Sequence, residues 1–159
     1  MKKQVGLSIK QLHHVPEYIE TCAEWNFQQW GEHLGYSLDQ SIDWVRQVTF
    51  SIRGEFGVIA FWDNTPVGMN FLESSDANER PELTPWLSGI YVEPDYRGRG
   101  IANALVKSIE DLARDEGYEE IYLHTPDVEA LYAKLGWQTF DEFHREKTGR
   151  HAVMRKALI

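Results

Sequence analysis

The stretch "YRGRGIANAL", Tyr96–Leu105, is the most informative part of the sequence, because two arginines and two glycines stand immediately before an apolar helical pattern. Pro94 cannot continue a central strand, so the pattern predicts a strand that ends there and a turn into a helix. The first amides of that helix have no intrahelical partner, and its dipole favours negative charge beside them. Gly98 and Gly100 leave room for a bulky anion at the backbone, which predicts a pyrophosphate-binding turn.

The arginines of this turn, Arg97 and Arg99, supply mobile positive charge in a chain that is otherwise acidic. Two known nucleotide-binding motifs do not fit the turn. A phosphate-loop motif needs a Gly-Lys-Ser/Thr ending, and the dinucleotide fingerprint needs a third small residue where this chain has Asn103. The alternative without a ligand is a plain glycine-containing connection with two solvated arginines.

Composition limits the class of protein. A chain of 159 residues with 42% hydrophobic content predicts one domain, residues 1–159, with a packed core. The formal net charge of -9 argues against nucleic-acid and anionic-membrane binding, and it favours a cationic or amine partner. Cys22 is the one cysteine, which excludes an intramolecular disulfide, and the N-terminus lacks an apolar signal core. Together these features predict a cytoplasmic protein.

Apolar periodicity predicts an α/β arrangement in the order strand, two helices, three strands, helix, strand, helix, two strands. Val5, Leu7 and Ile9 alternate as in a strand, and a helical stripe runs from Pro16 to Trp30, where the two glycines of "GEHLGYS" are predicted to break it. The other predicted elements are the helix "LDQSIDWVRQVTF", the hairpin "FGVIAFW" and "PVGMNFLE", the strand "WLSGIYVEP", the helix from Gly100 to Glu116, the strand "EEIYLH", the helix "DVEALYAKLG" and the strands "WQTFDEF" and "RHAVMRKAL".

Two segments together resemble one family. The signature Gln/Arg-x-x-Gly-x-Gly/Ala of the GNAT superfamily of acyl-coenzyme A-dependent N-acyltransferases is matched, residue by residue, by Arg97, Gly98, Arg99, Gly100, Ile101 and Ala102. The later segment "ALYAKLGW", residues 130–137, is similar to the family's helix with a tyrosine before a Lys-x-Gly-aromatic ending. The resemblance implies the GNAT fold: an α/β (α+β) domain with a central mixed, mostly antiparallel sheet of about seven strands and about four flanking helices.

The resemblance also implies a reaction and a donor site. The expected activity is transfer of an acetyl group from acetyl-CoA to a primary amine by direct attack in a ternary complex, with no metal. In the family, the pantetheine arm pairs with the backbone of the strand before the signature, and many members hold it with an asparagine where this chain has Thr125. The implied cofactor-binding residues are Ile90, Tyr91, Val92, Arg97, Gly98, Arg99, Gly100, Ile101, Ala102, Asn103 and Thr125.

Tyr132 is the catalytic residue that the resemblance implies. In the family, the matching hydroxyl contacts the coenzyme A sulfur and assists the departing thiolate. In this sequence Tyr132 shares an apolar helical face with Val128, Leu131 and Leu135, so it is expected to point toward the sheet. The alternative is a core tyrosine whose hydroxyl finds a local partner.

The general base and the acceptor are left open by the sequence. An amine that arrives as ammonium must lose a proton, and the candidates for accepting it are Glu73, Glu32, His33, His124 and water. Substrate choice is expected in the loops "GEHLGYS" and "HREKTG", with a small amine, a peptide N-terminus and a lysine side chain all open as acceptors. A homodimer is equally open. The alternatives to an enzyme are an acetyl-CoA sensor that transfers nothing and a scaffold without coenzyme A affinity.

Overall fold

The computed structural model describes residues 6–159, so Val5, predicted in the first strand, lies outside the described residues. Seven strands form one sheet in the order β1-β2-β3-β4-β5-β7-β6. All neighbours are antiparallel except β4 and β5, which are parallel. The strands are β1 (Leu7–Gln11), β2 (Phe56–Trp62), β3 (Thr65–Glu73), β4 (Trp86–Val92), β5 (Glu120–Thr125), β6 (Gln138–Arg145) and β7 (Gly149–Ala157). The predicted mixed, mostly antiparallel sheet is confirmed.

Helices cover both faces of the sheet in four segments. The first is α1 (Ile19–Asn26), which runs without a break through a wide π-helical turn, Phe27–Gly31, into α2 (Glu32–Leu34). The other three are α3 (Leu38–Thr49), α4 (Ile101–Asp115) and α5 (Glu129–Lys134). Ser37 and Gln40 form a capping box at the start of α3. Across residues 6–159, no helix is both long and apolar enough to cross a membrane.

The predicted helix break at the first glycine of "GEHLGYS" is wrong. Gly31 lies inside the helical segment, and the helix ends at Gly35, whose φ of 87° is left-handed. Gly31 is required for close packing instead, because a Cβ there would lie 2.6 Å from the Phe27 ring and 2.8 Å from the Tyr36 ring. A glycine in a helical pattern can thus end the helix, as Gly35 does, or permit close packing within it, as Gly31 does. Apolar periodicity alone did not distinguish these two roles.

The sheet opens between β4 and β5. The two strands share a single paired position, Trp86 with Tyr122, among the described residues. Beyond it, β4 carries an irregularity opposite the Met69–Phe71 segment of β3, where Gly89 has a φ of 62°. The bulge turns the second half of β4 away from β5, which leaves a gap in the middle of the sheet.

The two faces of the sheet pack against different helices. On one face, α4 buries Leu105 and Ile109 against β2, β3 and β5, and Tyr132 of α5 belongs to the same core. On the other face, Cys22 of α1 and Val45 of α3 pack against the sheet, and burial raises the pKa of the Cys22 thiol. The gap between β4 and β5 therefore lies between two separately packed layers.

Candidate active site

A cleft of about 1280 Å³ occupies the gap between β4 and β5. Its walls come from both faces of the sheet: the start of α4 and the α5 region on one side, and α1, α3 and the β6–β7 turn on the other. The cleft brings together most of the residues that the sequence analysis selected for a donor site. They are Ile90, Tyr91, Val92, Arg97, Gly98, Gly100, Ile101, Ala102, Asn103, Thr125 and Tyr132.

The turn before α4 has the geometry of an anion site. Gly98 and Gly100 both have a φ of 80°, which is strained for other residues, and a Cβ at either would meet nothing within 4 Å. Gly100 precedes the helix without a side-chain cap, and the Ala104 N–H donates to the Gly100 carbonyl. The amides of residues 101–103 precede that first helical bond, beside open space at the positive end of the helix dipole.

The two arginines of the turn have different surroundings. Arg97 lines the cleft, and its Nε donates a hydrogen bond of 3.0 Å to the Val92 carbonyl, which ties the turn to the end of β4. The Arg99 guanidinium stacks on the rings of Trp62 and Tyr96, 5.0 Å from each centroid. Arg99 is not among the described residues that line the cleft, although both arginines were predicted to bind the cofactor.

Tyr132 points from α5 into the cleft. Its side chain is 3% exposed and packs edge-to-face on Trp137, with ring centroids 5.9 Å apart. Within residues 6–159, its hydroxyl makes no side-chain hydrogen bond, whereas a buried structural tyrosine usually has a partner. Burial, and then the nearby charge of Asp127, raise the pKa of Tyr132, so the hydroxyl keeps its proton near neutral pH.

Thr125 ends β5 and is 4% exposed at the wall of the cleft. Its Oγ1 accepts hydrogen bonds from the backbone N–H groups of Asp127 (3.3 Å) and Val128 (3.1 Å). The side chain therefore shapes the turn into α5. Because its oxygen is engaged as an acceptor, the hydroxyl hydrogen is what Thr125 can offer to a ligand.

Glu73, at the end of β3, is the buried carboxylate of the cleft, with 9% exposure. Its Oε1 accepts a hydrogen bond of 2.8 Å from Trp44 Nε1, and its Oε2 accepts one from Ser88 Oγ. Burial, reinforced by the charge of Asp76, raises the pKa of Glu73 to about 8, despite these two donors. A carboxyl group with this pKa can gain and lose a proton near neutral pH.

The raised pKa predicts a pH-dependent effect of Glu73→Gln on stability. The ordinary pKa is 4.5, so as pH rises from about 4.5 to 8 the unfolded chain ionises while the folded chain keeps its proton. The wild type therefore loses stability over that window relative to the variant. We expect the Tm of Glu73→Gln minus that of the wild type to increase by about 3 °C or more between pH 5 and pH 8, by calorimetry.

Glu24→Gln is the control for this prediction, because Glu24 is an exposed carboxylate on α1. Its Tm difference from the wild type should stay constant across the same pH range. A constant difference for Glu73→Gln as well would contradict the raised pKa.

The structure places some of the other candidate bases in the cleft and others outside it. Glu32 and His33 are exposed on α2 and are absent from the described lining of the cleft. His124 lines it, with Nε2 3.0 Å from Asp76 Oδ2 and Nδ1 3.1 Å from His151 Nδ1. Burial, and then the neighbouring His124, lower the pKa of His151. Among the ionisable candidates, Glu73 and His124 are therefore the two that reach the cleft.

Both predicted substrate loops border the cleft. The α2–α3 connection supplies Tyr36, and the turn between β6 and β7 supplies Lys147. A Cβ at Gly35 would lie 3.9 Å from Lys147 Nζ, so the two loops approach each other. The turn is shorter than predicted, since β6 continues to Arg145 and β7 begins at Gly149.

The sequence and these features match a known family. The description "Acetyltransferase (GNAT) family" fits residues 16–137, which include the whole signature turn and Tyr132. The chain belongs to the GNAT family. The GNAT fold that the sequence analysis predicted is likewise confirmed by the seven-stranded mixed sheet and its four helical segments.

Relatives of this GNAT domain are N-acetyltransferases. N-acetyltransferase 8 of Homo sapiens is 29% identical over 113 residues, which are 69% of this chain and 50% of that protein. The chain thus spans about half the length of this curated relative. Aminoglycoside 6'-N-acetyltransferase complexed with coenzyme A superimposes with a TM-score of 0.75, at 18% identity, over 96% of this chain and 97% of its own. The yncA protein of Salmonella typhimurium with its cofactor acetyl-CoA superimposes with a TM-score of 0.72, at 15% identity, over 97% of this chain and 95% of its own.

The sequence did not indicate that Asn26, Ser41 and Trp44 meet at one wall of the GNAT cleft, beside Tyr36 of the predicted loop "GEHLGYS". Asn26 contacts both Tyr36 and Ser41 there, and Trp44 Nε1 donates to Glu73. A signal for them was present: Ser41 and Trp44 are three residues apart on α3, and Asn26 is a polar residue on a helix face that is otherwise buried. Such positions are exceptions to apolar periodicity, and buried polar residues generally have a specific partner or role.

Proposed function

We propose that this GNAT domain transfers an acetyl group from acetyl-CoA to a primary amine by direct attack within a ternary complex. The observation that carries the proposal is that one cleft joins three groups: an uncapped helix N-terminus, an unpartnered tyrosine hydroxyl and a buried carboxylate of raised pKa. These groups suit, in turn, a phosphate-bearing donor, a leaving thiolate and an amine that must lose a proton.

The residues of the cleft fit acetyl-CoA as the donor. The amides after Gly100 and the guanidinium of Arg97 would hold the pyrophosphate. The unpaired edge of β4 at Ile90, Tyr91 and Val92 would hold the pantetheine as an added strand, in the gap that β5 leaves. When bound, the cofactor supplies an acetyl thioester, an electrophile that an uncharged amine can attack without a protein nucleophile. The two structural neighbours are complexes with coenzyme A and with acetyl-CoA, which supports this choice of donor.

Tyr132 assists the departure of the thiolate in this proposal. Its hydroxyl keeps its proton because burial raises its pKa, and it has no other partner among residues 6–159. It can therefore donate a hydrogen bond to the sulfur as negative charge develops there. Since a thiol has a pKa of about 8.5 and a phenol about 10, stabilisation by the hydrogen bond suffices without full proton transfer.

Glu73, when it is ionised, accepts the proton that the attacking amine loses. Its raised pKa of about 8 makes it a stronger base than an ordinary carboxylate, and the Trp44 and Ser88 hydrogen bonds fix its position. In the reaction, the amine nitrogen forms a bond to the acetyl carbon as the carbon–sulfur bond breaks. Its proton passes to Glu73, and the departing thiolate receives the hydrogen bond of Tyr132.

A thiol-release assay with acetyl-CoA tests the function directly. The acceptors are polyamines, aminoglycosides, amino acids, and peptides with free N-termini or lysines. We expect release with at least one amine class, at a rate that increases with pH as that amine deprotonates. The net charge of -9 should attract cationic amines, so added salt should lower the rate at limiting amine concentration. Tight acetyl-CoA binding without release by any amine would instead identify the domain as a sensor.

A further inference from the structure

Asn26 is a buried polar residue whose side chain meets the cleft. It ends α1 with 7% exposure. The amide atom assigned as Oδ1 lies 2.9 Å from Tyr36 Oη and 2.8 Å from Ser41 Oγ. The other end of the amide has no partner within residues 6–159 and is not among their fully buried unpaired atoms, so it is open to the cleft that Asn26 lines.

A count of hydrogens decides which end of the amide faces the cleft. The two ends have the same shape and can be exchanged by a 180° rotation. Ser41 Oγ lies 2.7 Å from the Ala23 carbonyl, which can only accept, so the single hydrogen of Ser41 is used there. The Asn26 atom 2.8 Å from Ser41 must then be a donor, because two oxygens at that distance without a hydrogen would repel. Nδ2 therefore faces Ser41 and Tyr36, and the carbonyl oxygen faces the cleft.

The local backbone fixes this arrangement. The wide π-helical turn, Phe27–Gly31, begins immediately after Asn26. Gly31 lets the Tyr36 ring approach so closely that a Cβ would lie 2.8 Å from it. The Tyr36 hydroxyl is thereby brought back to Asn26 across the end of the helix. Such turns occur frequently at functional sites.

We propose that the carbonyl oxygen of Asn26 and the carboxyl group of Glu73 together form the binding site for the acceptor amine. Ser41, which contacts Asn26, is one turn before Trp44 on α3, and Trp44 donates to Glu73. The two acceptors, Asn26 of α1 and Glu73 of β3, are thus each held by a residue of the same face of α3. This inference rests on the proposed function, because it assigns the acceptor site of that reaction.

The site selects for an unsubstituted amino group. A neutral primary amine has two N–H groups and one lone pair. One N–H donates to Asn26 and the other to Glu73, so the lone pair stays directed at the electrophile. A secondary amine loses one of these two contacts, and a tertiary amine loses both and has no proton to give up. An alcohol has a single O–H and can satisfy one of the two acceptors.

The orientation of the Asn26 amide can be measured by NMR on the uniformly ¹⁵N-labelled protein. The side-chain signals are assigned by their loss in Asn26→Asp. We expect the Asn26 side-chain hydrogens to exchange with solvent at least about tenfold more slowly than those of Asn64 and Asn78, which are exposed. They should shift in Ser41→Ala. Exchange as fast as that of Asn64, or no shift in Ser41→Ala, would overturn the orientation.

Binding of butylamine in the presence of coenzyme A tests the site independently of turnover. We expect N,N-dimethylbutylamine, which has at most one N–H whether or not it is protonated, to bind at least about tenfold more weakly than butylamine. We expect Asn26→Leu to weaken the binding of butylamine by a similar factor. Asn26→Asp places an oxygen against Ser41, so it is combined with Ser41→Ala, and the double variant should bind butylamine as tightly as Ser41→Ala or more tightly, because a carboxylate also accepts. The affinity for coenzyme A should be unchanged in these variants, whereas a merely structural role of Asn26 would predict that it also falls.

Two outcomes separate this proposal from the proposed function. If Asn26→Leu binds butylamine normally, or if Asn26→Asp combined with Ser41→Ala loses as much affinity as Asn26→Leu, the assigned site is wrong even where acetyl transfer is detected. If butylamine binds as described and no amine releases thiol, the site is right and the acetyl-transfer function is wrong.

Discussion

Replacing Tyr132 with phenylalanine is expected to lower kcat for acetyl transfer by about tenfold or more, since a positioned acid-base group typically contributes about 10²–10⁴-fold. The variant keeps the ring that packs on Trp137 and removes one hydroxyl, which has no other partner in the described chain. Acetyl-CoA affinity and Tm should therefore change little. Steady-state kinetics measure the loss of kcat, and equilibrium binding measures the affinity for acetyl-CoA separately.

Tyr122→Phe is the matched control, because the Tyr122 hydroxyl donates to Glu120 and does not line the cleft. It should turn over like the wild type. A Tyr132→Phe enzyme with unchanged kcat would reduce Tyr132 to a core residue. A parallel loss of stability would point to packing instead of chemistry.

Gly100→Asp should weaken acetyl-CoA binding by at least about tenfold. A carboxylate at this position would stand beside the helix amides that we propose hold the pyrophosphate. At about 4 Å, two unit charges repel by roughly 1 to 4 kcal/mol, depending on the local dielectric. The increase in Tm that acetyl-CoA gives to the wild type should then disappear at the same ligand concentration, since that increase reflects binding to the folded state.

Two controls separate charge from strain. Gly100→Asn has nearly the same shape without the charge, and asparagine tolerates the φ of 80° better than most residues, so it should retain most of the Tm increase. Gly117→Asp places the same charge at the opposite end of α4, where the φ of 95° imposes similar strain. It should leave acetyl-CoA binding intact. An unaltered Tm increase in Gly100→Asp would remove the turn from the donor site.

Much of the fold could be predicted because its signals are local. The continuous buried runs of β2 and β3, the apolar stripe of α3 and the glycine-rich start of α4 each reflect burial or backbone geometry within a few residues. The residues proposed for the donor could be selected for the same reason, since the signature turn and Tyr132 lie in two short segments, and the structure brings most of them to one cleft.

The two loops and Glu73 could be named from the sequence, but the contacts of Asn26, Ser41 and Trp44 could not, because they join distant segments of the chain. Asn26 meets Ser41 only when α1 packs on α3, and Trp44 reaches Glu73 across 29 positions of the chain. The different surroundings of Arg97 and Arg99 also depend on tertiary structure, because Trp62 comes from β2. The extra width of the helix at Phe27–Gly31 has no signature in apolar periodicity, which continues to Trp30 as in an ordinary helix.

The gap between β4 and β5 lets one cleft extend from one face of the sheet to the other. The residues proposed for the donor, at the start of α4 and on α5, lie on one face, and Asn26, Ser41 and Trp44 lie on the other. Under the proposed function, substitutions in α1, α3 or the β6–β7 turn therefore change the acceptor side of the cleft while the donor side stays as it is. A large acceptor would then need room on one face only, beside the α2–α3 connection and the β6–β7 turn.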